Sequence, residues 1–166
     1  MTRTDGDEPA LRLRVELVPR PLWGRNLRAV LPRSDWQRLR RWALDRAGER
    51  CEPCGLTVAG GRYLICHERW TYDHATRTQT LIGVEIHCGD CDLVTHVGRA
   101  GVVGGPLLVG QALRRLAELN GWTPAEALFH YRAARTEWQE RSQHPWQQDL
   151  TWYDRWVAAH PPRRLS

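Results

Sequence analysis

The sequence predicts an α+β protein: a zinc-bound β-hairpin plus a short helix, with further helices flanking this core on both sides. Three observations carry that expectation. Two C-x2-C pairs, Cys51/Cys54 and Cys88/Cys91, are separated by 33 residues. Between them, two strand-like runs enclose a turn-forming stretch. Before and after them, apolar residues recur at helical spacing, bracketed by capping residues and glycine.

Taken in order, residues 1–10 have the mixed polar composition of a flexible tail. Residues 11–18, LRLRVELV, alternate apolar and polar side chains, the period of a half-buried strand. Pro19, Pro21 and Pro32 then bracket an irregular stretch. Ser34 opens S-x-x-Q with Gln37, a capping-box pattern that predicts a helix carrying Trp36, Leu39, Trp42 or Ala43, and Ala47 on one side. Gly48 is placed to end it. Residues 62–73 and 80–88 read as strands around DHATRTQ, and DLVTHVGRA after Cys91 reads as a short helix. Residues 101–106, GVVGGP, read as a flexible joint. Helical patterns follow over about 107–119 and 124–141, the second opening with T-P-A-E at Thr123. The tail, with Trp146, Trp152 and Trp156, is expected to pack back as a short helix or coil. This gives four regions: a tail at 1–10, a strand and helix at 11–50, the zinc-stapled core at 51–100, and a helical region at 101–166 packing on it.

Composition limits the partners. The chain has 166 residues, 42% of them hydrophobic and 26% charged, which excludes wholesale disorder. No apolar run is long enough to span a bilayer, and the first residues lack a secretory signal, so a cytoplasmic protein without a membrane partner is expected. All 24 basic side chains are Arg, and the net charge is +5. GC-rich codon usage would produce the same bias without function, yet the charge itself suits a polyanion, which Arg grips bidentately. Nine Trp against one Phe and one Met suggest that indoles fill much of the core.

Each cysteine pair can present two thiolates from one tight turn, with Gly55 and Gly89 supplying permissive backbone. Four thiolates meeting tetrahedrally form a structural zinc site with no open position. Two disulfides fit less well in the absence of an oxidising context.

The order knuckle, hairpin, knuckle, short helix resembles the zinc-stapled HNH endonucleases of bacteria, whose ββα-metal core carries a His on its first strand and metal ligands on the following helix. The segments that carry the likeness are CHERWTYD at 66–73 and CDLVTHVGRA at 91–100. The resemblance is strongest over 51–100 and extends loosely over 17–156 through PLWGRNLR and the tryptophan-bearing C-terminal helices. It implies a metal-dependent endonuclease or nickase acting on nucleic acid, with DNA the expected form. His67 would be the general base. A divalent cation such as Mg²⁺ would be held by Asp92, with His96 as second ligand or electrostatic partner. Cys66 stands where the family usually has an acidic residue, Asp92 stands where it usually has His, and Gln79 comes nearest to the middle Asn. Arg69, Arg77 and Arg99 flank the expected cleft as phosphate contacts.

Several residues admit two readings. His87 is an outer or surface group, or has a role at the zinc. Cys66 is a buried apolar filler, or a fifth ligand. Glu68 pairs with a basic neighbour, or orients His67. Trp70 and Tyr72 pack in the core, or stack on bases. Two further functions stand beside the nuclease: a catalytically degenerate nucleic-acid-binding module, and a zinc-stapled protein-interaction adaptor using the C-terminal helices.

Overall fold

The computed structural model describes residues 11–58 and 63–161. Among them are six α-helices and a three-stranded sheet, a mixed α+β architecture. The sequence-predicted tail at 1–10 lies outside the described residues.

The first departure comes at once. Residues 11–18 form no strand. The alternation is real in burial, since Leu13 and Val15 enter the core while Arg12 and Arg14 stay exposed. Yet the backbone partners come from helices. Asn120 Oδ1 accepts from Arg12 N at 3.0 Å, Asn120 Nδ2 donates to Leu13 O at 2.8 Å, and His130 Nε2 accepts from Val15 N at 3.3 Å. Side chains here take the place of a neighbouring strand.

A short 3-10 turn at Arg20–Leu22 and helix α1 (Leu27–Val30) lead to α2 (Arg33–Arg46), whose Leu39, Ala43 and Leu44 are buried. The expected Ser34 capping box is absent. Pro32 occupies the N-cap position with no side-chain cap, which places Ser34 inside the first turn. Gly48 does end the helix: its φ is 60°, and Glu49 N donates back to Leu44 O at 3.1 Å.

The hairpin forms as expected, β1 (Ile65–Asp73) running antiparallel to β2 (Thr78–His87). Its turn is held by Asp73 Oδ1, which accepts from Ala75 N at 2.8 Å and Thr76 N at 3.3 Å. The ladder shifts register between Arg69 and Trp70. Helix α3 (Gly89–Thr95) follows directly, and the chain bends by 104° into α4 (Val97–Asn120). The joint expected over 101–106 shrinks to one position. Helix runs through Gly104, breaks at Gly105 (φ 60°, ψ −154°), and resumes with Pro106.

Helix α5 (Pro124–Arg141) carries the predicted capping box, with Thr123 N donating to Glu126 Oε2 at 2.7 Å. The tail adds a strand the sequence did not suggest. β3 (Gln147–Asp149) pairs in parallel with Thr78–Thr80 of β2, giving the order β1-β2-β3. Helix α6 (Thr151–Ala159) then buries Tyr153 and Trp156. The core joins the inner faces of the hairpin to α2, α3, α4 and α6. Trp70, Trp146 and Trp156 are buried in line with the composition, whereas Trp23 is 62% exposed and stacks on Trp138 at 6.4 Å. No single described helix is long and apolar enough to cross a membrane.

Candidate metal centres

The cysteine cluster sits at the root of the hairpin. In the first knuckle, Gly55 N donates to Cys51 O at 2.7 Å, and Gly55 adopts φ 77°, a conformation that favours glycine. The second knuckle is built differently. Cys88 is the extended residue before α3 and Cys91 lies in its first turn, so Gly89 is an ordinary helical residue without a left-handed φ. The two knuckles are clamped through Glu52, whose N–H donates to Ile86 O at 2.8 Å while its Oε2 accepts from Ile86 N at 2.7 Å.

One sulfur from each of Cys51, Cys54, Cys88 and Cys91 lies within 4.8 Å of the other three. Cys54 Sγ and Cys88 Sγ are 3.8 Å apart. Four sulfurs at about 2.3 Å from a tetrahedral zinc stand about 3.8 Å from one another, so this edge already has the right length. All five cysteines are free thiols. Without a cation the four conflict electrostatically. The hydrogen bond between them lowers the Cys51 thiol and raises that of Cys91, so one ionises at the other's expense. A dication removes that conflict. The group could therefore hold a metal ion such as zinc. Arg115 of α4 lies against Cys91; burial works against its charge, but the contact with that sulfur more than offsets this.

Cys66 is not part of the cluster. It is 8% exposed, sits in the apolar core, and burial pushes its thiol up to about 12. The filler reading holds over the fifth-ligand reading.

The sequence-predicted residues His67, Asp92 and His96 do come together. His67 of β1 places Nδ1 3.7 Å from Asp92 Oδ1 on α3, and His96 Nε2 lies 3.6 Å from the same oxygen. His67 is 6% exposed, whereas the His96 side chain is 46% exposed. Burial acts to lower the His67 pKa, but the hydrogen bond it gives to Glu16 and the charges of Glu16 and Asp92 raise it overall.

Two residues at this site, Glu85 and Glu16, escaped the sequence reading, and His87, read there as an outer or surface group or as a zinc-site residue, joins the histidines instead. His87, at the end of β2, stacks on His67 with ring centroids 4.9 Å apart. Its Nε2 is 3.0 Å from Glu85 Oε2, and Glu85 is the cross-strand partner of His67. Burial raises the Glu85 pKa, but the His87 hydrogen bond and the nearby positive charges outweigh it and keep the carboxylate ionised. Glu16, from the N-terminal segment, places Oε2 3.3 Å from His67 Nε2. One ligand atom from each of His67, His87 and Asp92 lies within 4.8 Å of the other two. His87 is 1% exposed, yet its Nδ1 has no hydrogen-bond partner among the described residues, and neither has Asp92 Oδ1. Two such orphaned buried atoms cost about 1–3 kcal/mol each. The signal for His87 and Glu85 was present in E-x-H-C, two same-face strand residues ending at a knuckle; nothing in the sequence pointed to Glu16.

The other candidates scatter. Arg69 lines a cavity of about 70 Å³ with Glu16, His67 and His87, and approaches Glu85 at 3.8 Å. Arg77 lines a different cavity, of about 310 Å³, beside His74, Arg141 and His144. Arg99 is exposed on the first turn of α4. Gln79 is buried away from the histidines, donating to the Tyr72 hydroxyl at 2.9 Å and accepting from Gln148 at 2.8 Å. Glu68 takes neither expected role: its Oε1 accepts from Leu27 N at 2.7 Å and anchors the start of α1. Trp70 packs in the core, and Tyr72 lies edge-on to Trp146 at 5.5 Å.

No protein-family model, curated protein or solved structure matches the chain. The site must therefore be read from its own chemistry.

Proposed function

We propose that the chain is a metal-dependent phosphodiesterase of the HNH kind, an endonuclease or nickase acting on nucleic acid, with DNA the expected substrate. The observation that carries the reading is the meeting of His67, Asp92 and His96 from a strand and the helix after it, beside a four-cysteine cluster. In this reading the cysteine cluster binds zinc and is structural: a closed four-sulfur site has no position for substrate, and it fixes the hairpin against α3. A divalent ion held through Asp92 would polarise the scissile phosphate and stabilise the departing oxygen.

The chain's own groups divide the remaining work by access. His67, expected as the base, has one nitrogen facing Glu16 and the other facing Asp92, and is 6% exposed. His96 is the imidazole open to solvent beside Asp92, so it is better placed than the buried His67 to take a proton from attacking water. Arg69, which lines the cavity with His67 and His87 together with Arg12 and Arg14, and Arg99 in the first turn of α4 are the cations assigned to the phosphates in this reading.

A catalytically silent nucleic-acid-binding module is the second reading. It is favoured by Cys66, a buried protonated thiol where a hard cation would need a carboxylate. Nicking of supercoiled plasmid with Mg²⁺, Mn²⁺ or Ni²⁺ separates the two. Wild type should nick, and His96→Ala and Asp92→Ala should lose nearly all cleavage while binding persists. Arg69→Ala and Arg99→Ala should weaken binding on all sequences alike and flatten its dependence on salt. Salt-sensitive binding with no cleavage of single- or double-stranded substrate under any ion would leave the module. Absence of binding at low salt would overturn both.

A further inference from the structure

We propose that His67, His87 and Asp92 form a second metal site, selective for a first-row transition dication over Mg²⁺ and Ca²⁺. The site uses a residue, His87, that the nuclease resemblance does not involve. It concerns ion binding alone and stands whether or not the chain cleaves phosphodiesters.

Two buried polar atoms here lack hydrogen-bond partners among the described residues. His87 is 1% exposed and its Nδ1 has no partner, and Asp92 Oδ1 is likewise without a hydrogen bond among the described residues. Both belong to a trio whose ligand atoms all lie within 4.8 Å of one another. Buried polar atoms are almost always satisfied, so a donor nitrogen and a carboxylate oxygen left open within one close group of His67, His87 and Asp92 point to a cation between them.

The outward-facing nitrogens support the same assignment. His87 Nε2 meets Glu85 Oε2 at 3.0 Å and His67 Nε2 meets Glu16 Oε2 at 3.3 Å. A metal-binding imidazole characteristically gives its second N–H to a carboxylate, which fixes the tautomer and makes the other nitrogen a better donor. Two histidines here carry that arrangement at once, leaving both Nδ1 lone pairs for the ion. His67 Nδ1 already lies 3.7 Å from Asp92 Oδ1. Ligands at about 2.1 Å from a tetrahedral ion stand about 3.4 Å apart, so loading requires a contraction of a few tenths of an ångström on that edge.

The donor set chooses the metal. Two imidazoles and one carboxylate suit Zn²⁺, Co²⁺, Ni²⁺ or Fe²⁺, whereas Mg²⁺ and Ca²⁺ prefer oxygen. Three protein ligands leave a position open. The adjoining cavity of about 70 Å³ has room for a water there.

The test is a cobalt titration of zinc-loaded protein after mild chelation has stripped the more weakly held ion. Wild type should take up one further equivalent, giving visible d–d absorption without the intense near-ultraviolet band of cobalt–thiolate bonds. His87→Ala and Asp92→Asn should weaken this uptake at least ~10-fold, and Glu85→Gln by ~10–100-fold, with sulfur-bound zinc and circular dichroism unchanged. Excess Mg²⁺ should not compete. Wild type that takes up no second ion overturns the site even if the variants fail to fold. Uptake unaffected by His87→Ala, or displaced by Mg²⁺, overturns it too. An ion bound as described in a chain that cuts nothing would retain this site and remove the nuclease.

Discussion

The clamp between the two knuckles makes a quantitative test of how the cysteine cluster is held. Glu52 follows Cys51, and its carboxylate does the work of a neighbouring strand. Oε2 accepts from Ile86 N at 2.7 Å and from Arg46 Nη2 at 2.7 Å, while the Glu52 N–H donates to Ile86 O at 2.8 Å. Ile86 is 0% exposed, so Glu52→Ala leaves a buried N–H with no acceptor. Losing a hydrogen bond to a charged group costs about 1.5–3 kcal/mol. The Arg46 pair, about one-third exposed on each side, adds only about 0.5 kcal/mol because solvent screens it. The expected loss is therefore roughly 2–3.5 kcal/mol. For a chain of this size that lowers the melting temperature by roughly 4–14 °C. Glu52→Gln keeps an acceptor oxygen for Ile86 N and should lose no more than about 1 kcal/mol. Urea unfolding of the zinc-loaded protein, followed by tryptophan fluorescence, measures both. An alanine variant within about 0.5 kcal/mol of wild type would refute the reasoning. So would a glutamine variant as damaged as the alanine one.

Two further outcomes follow from the geometry. Structural zinc contributes about 10–16 kcal/mol of apparent folding free energy, comparable to the whole stability of most domains, so chelation or Cys54→Ser should unfold the core; metal-free protein with an unchanged unfolding midpoint would contradict this. His130 accepts from Val15 N through Nε2, which requires a neutral ring, and burial together with Arg14 holds its pKa below 6.5. Because the folded value is depressed, this contribution is complete above the unfolded pKa and is lost as pH falls through the folded one. Amide exchange over residues 12–16, corrected for intrinsic rates, should therefore lose protection in wild type as pH falls through the folded value, a step absent from His130→Ala; wild-type protection that tracks His130→Ala at every pH would discard the tether.

What could be read in the sequence follows a physical line. The cysteine pairs, the hairpin and the Thr123 cap are local: each is set by residues a few positions apart, so spacing alone announces them. β3 is not. Gln147, Gln148 and Asp149 have no strand propensity, and they pair because Gln147 N donates to Arg77 O at 2.9 Å and Gln148 reaches both Gln79 and Arg25. The half of the histidine site that escaped notice is likewise non-local, since Glu16 meets His67 only once the N-terminal segment has been laid across the hairpin.

That segment shows why the misread element and the least legible part of the site are the same. Strict alternation in 11–18 reports an extended chain with one buried face, and that much is correct. Alternation carries no information about where the backbone groups will pair. A strand would have been fixed laterally by a continuous ladder. Residues 12–16 instead have Asn120, His130 and the carbonyl of Thr95 as backbone partners, contributed by three different helices. Leu11, Arg12, Leu13, Arg14 and Glu16 line the small cavity that contains His67 and His87. This part of the cavity wall is therefore held by a handful of hydrogen bonds to helical residues and by two buried apolar anchors, Leu13 and Val15. In the proposed reading the base role passes to His96 because His67 is buried, and Glu16 of this segment is one of the groups packed against it, as His87 of the hairpin is another.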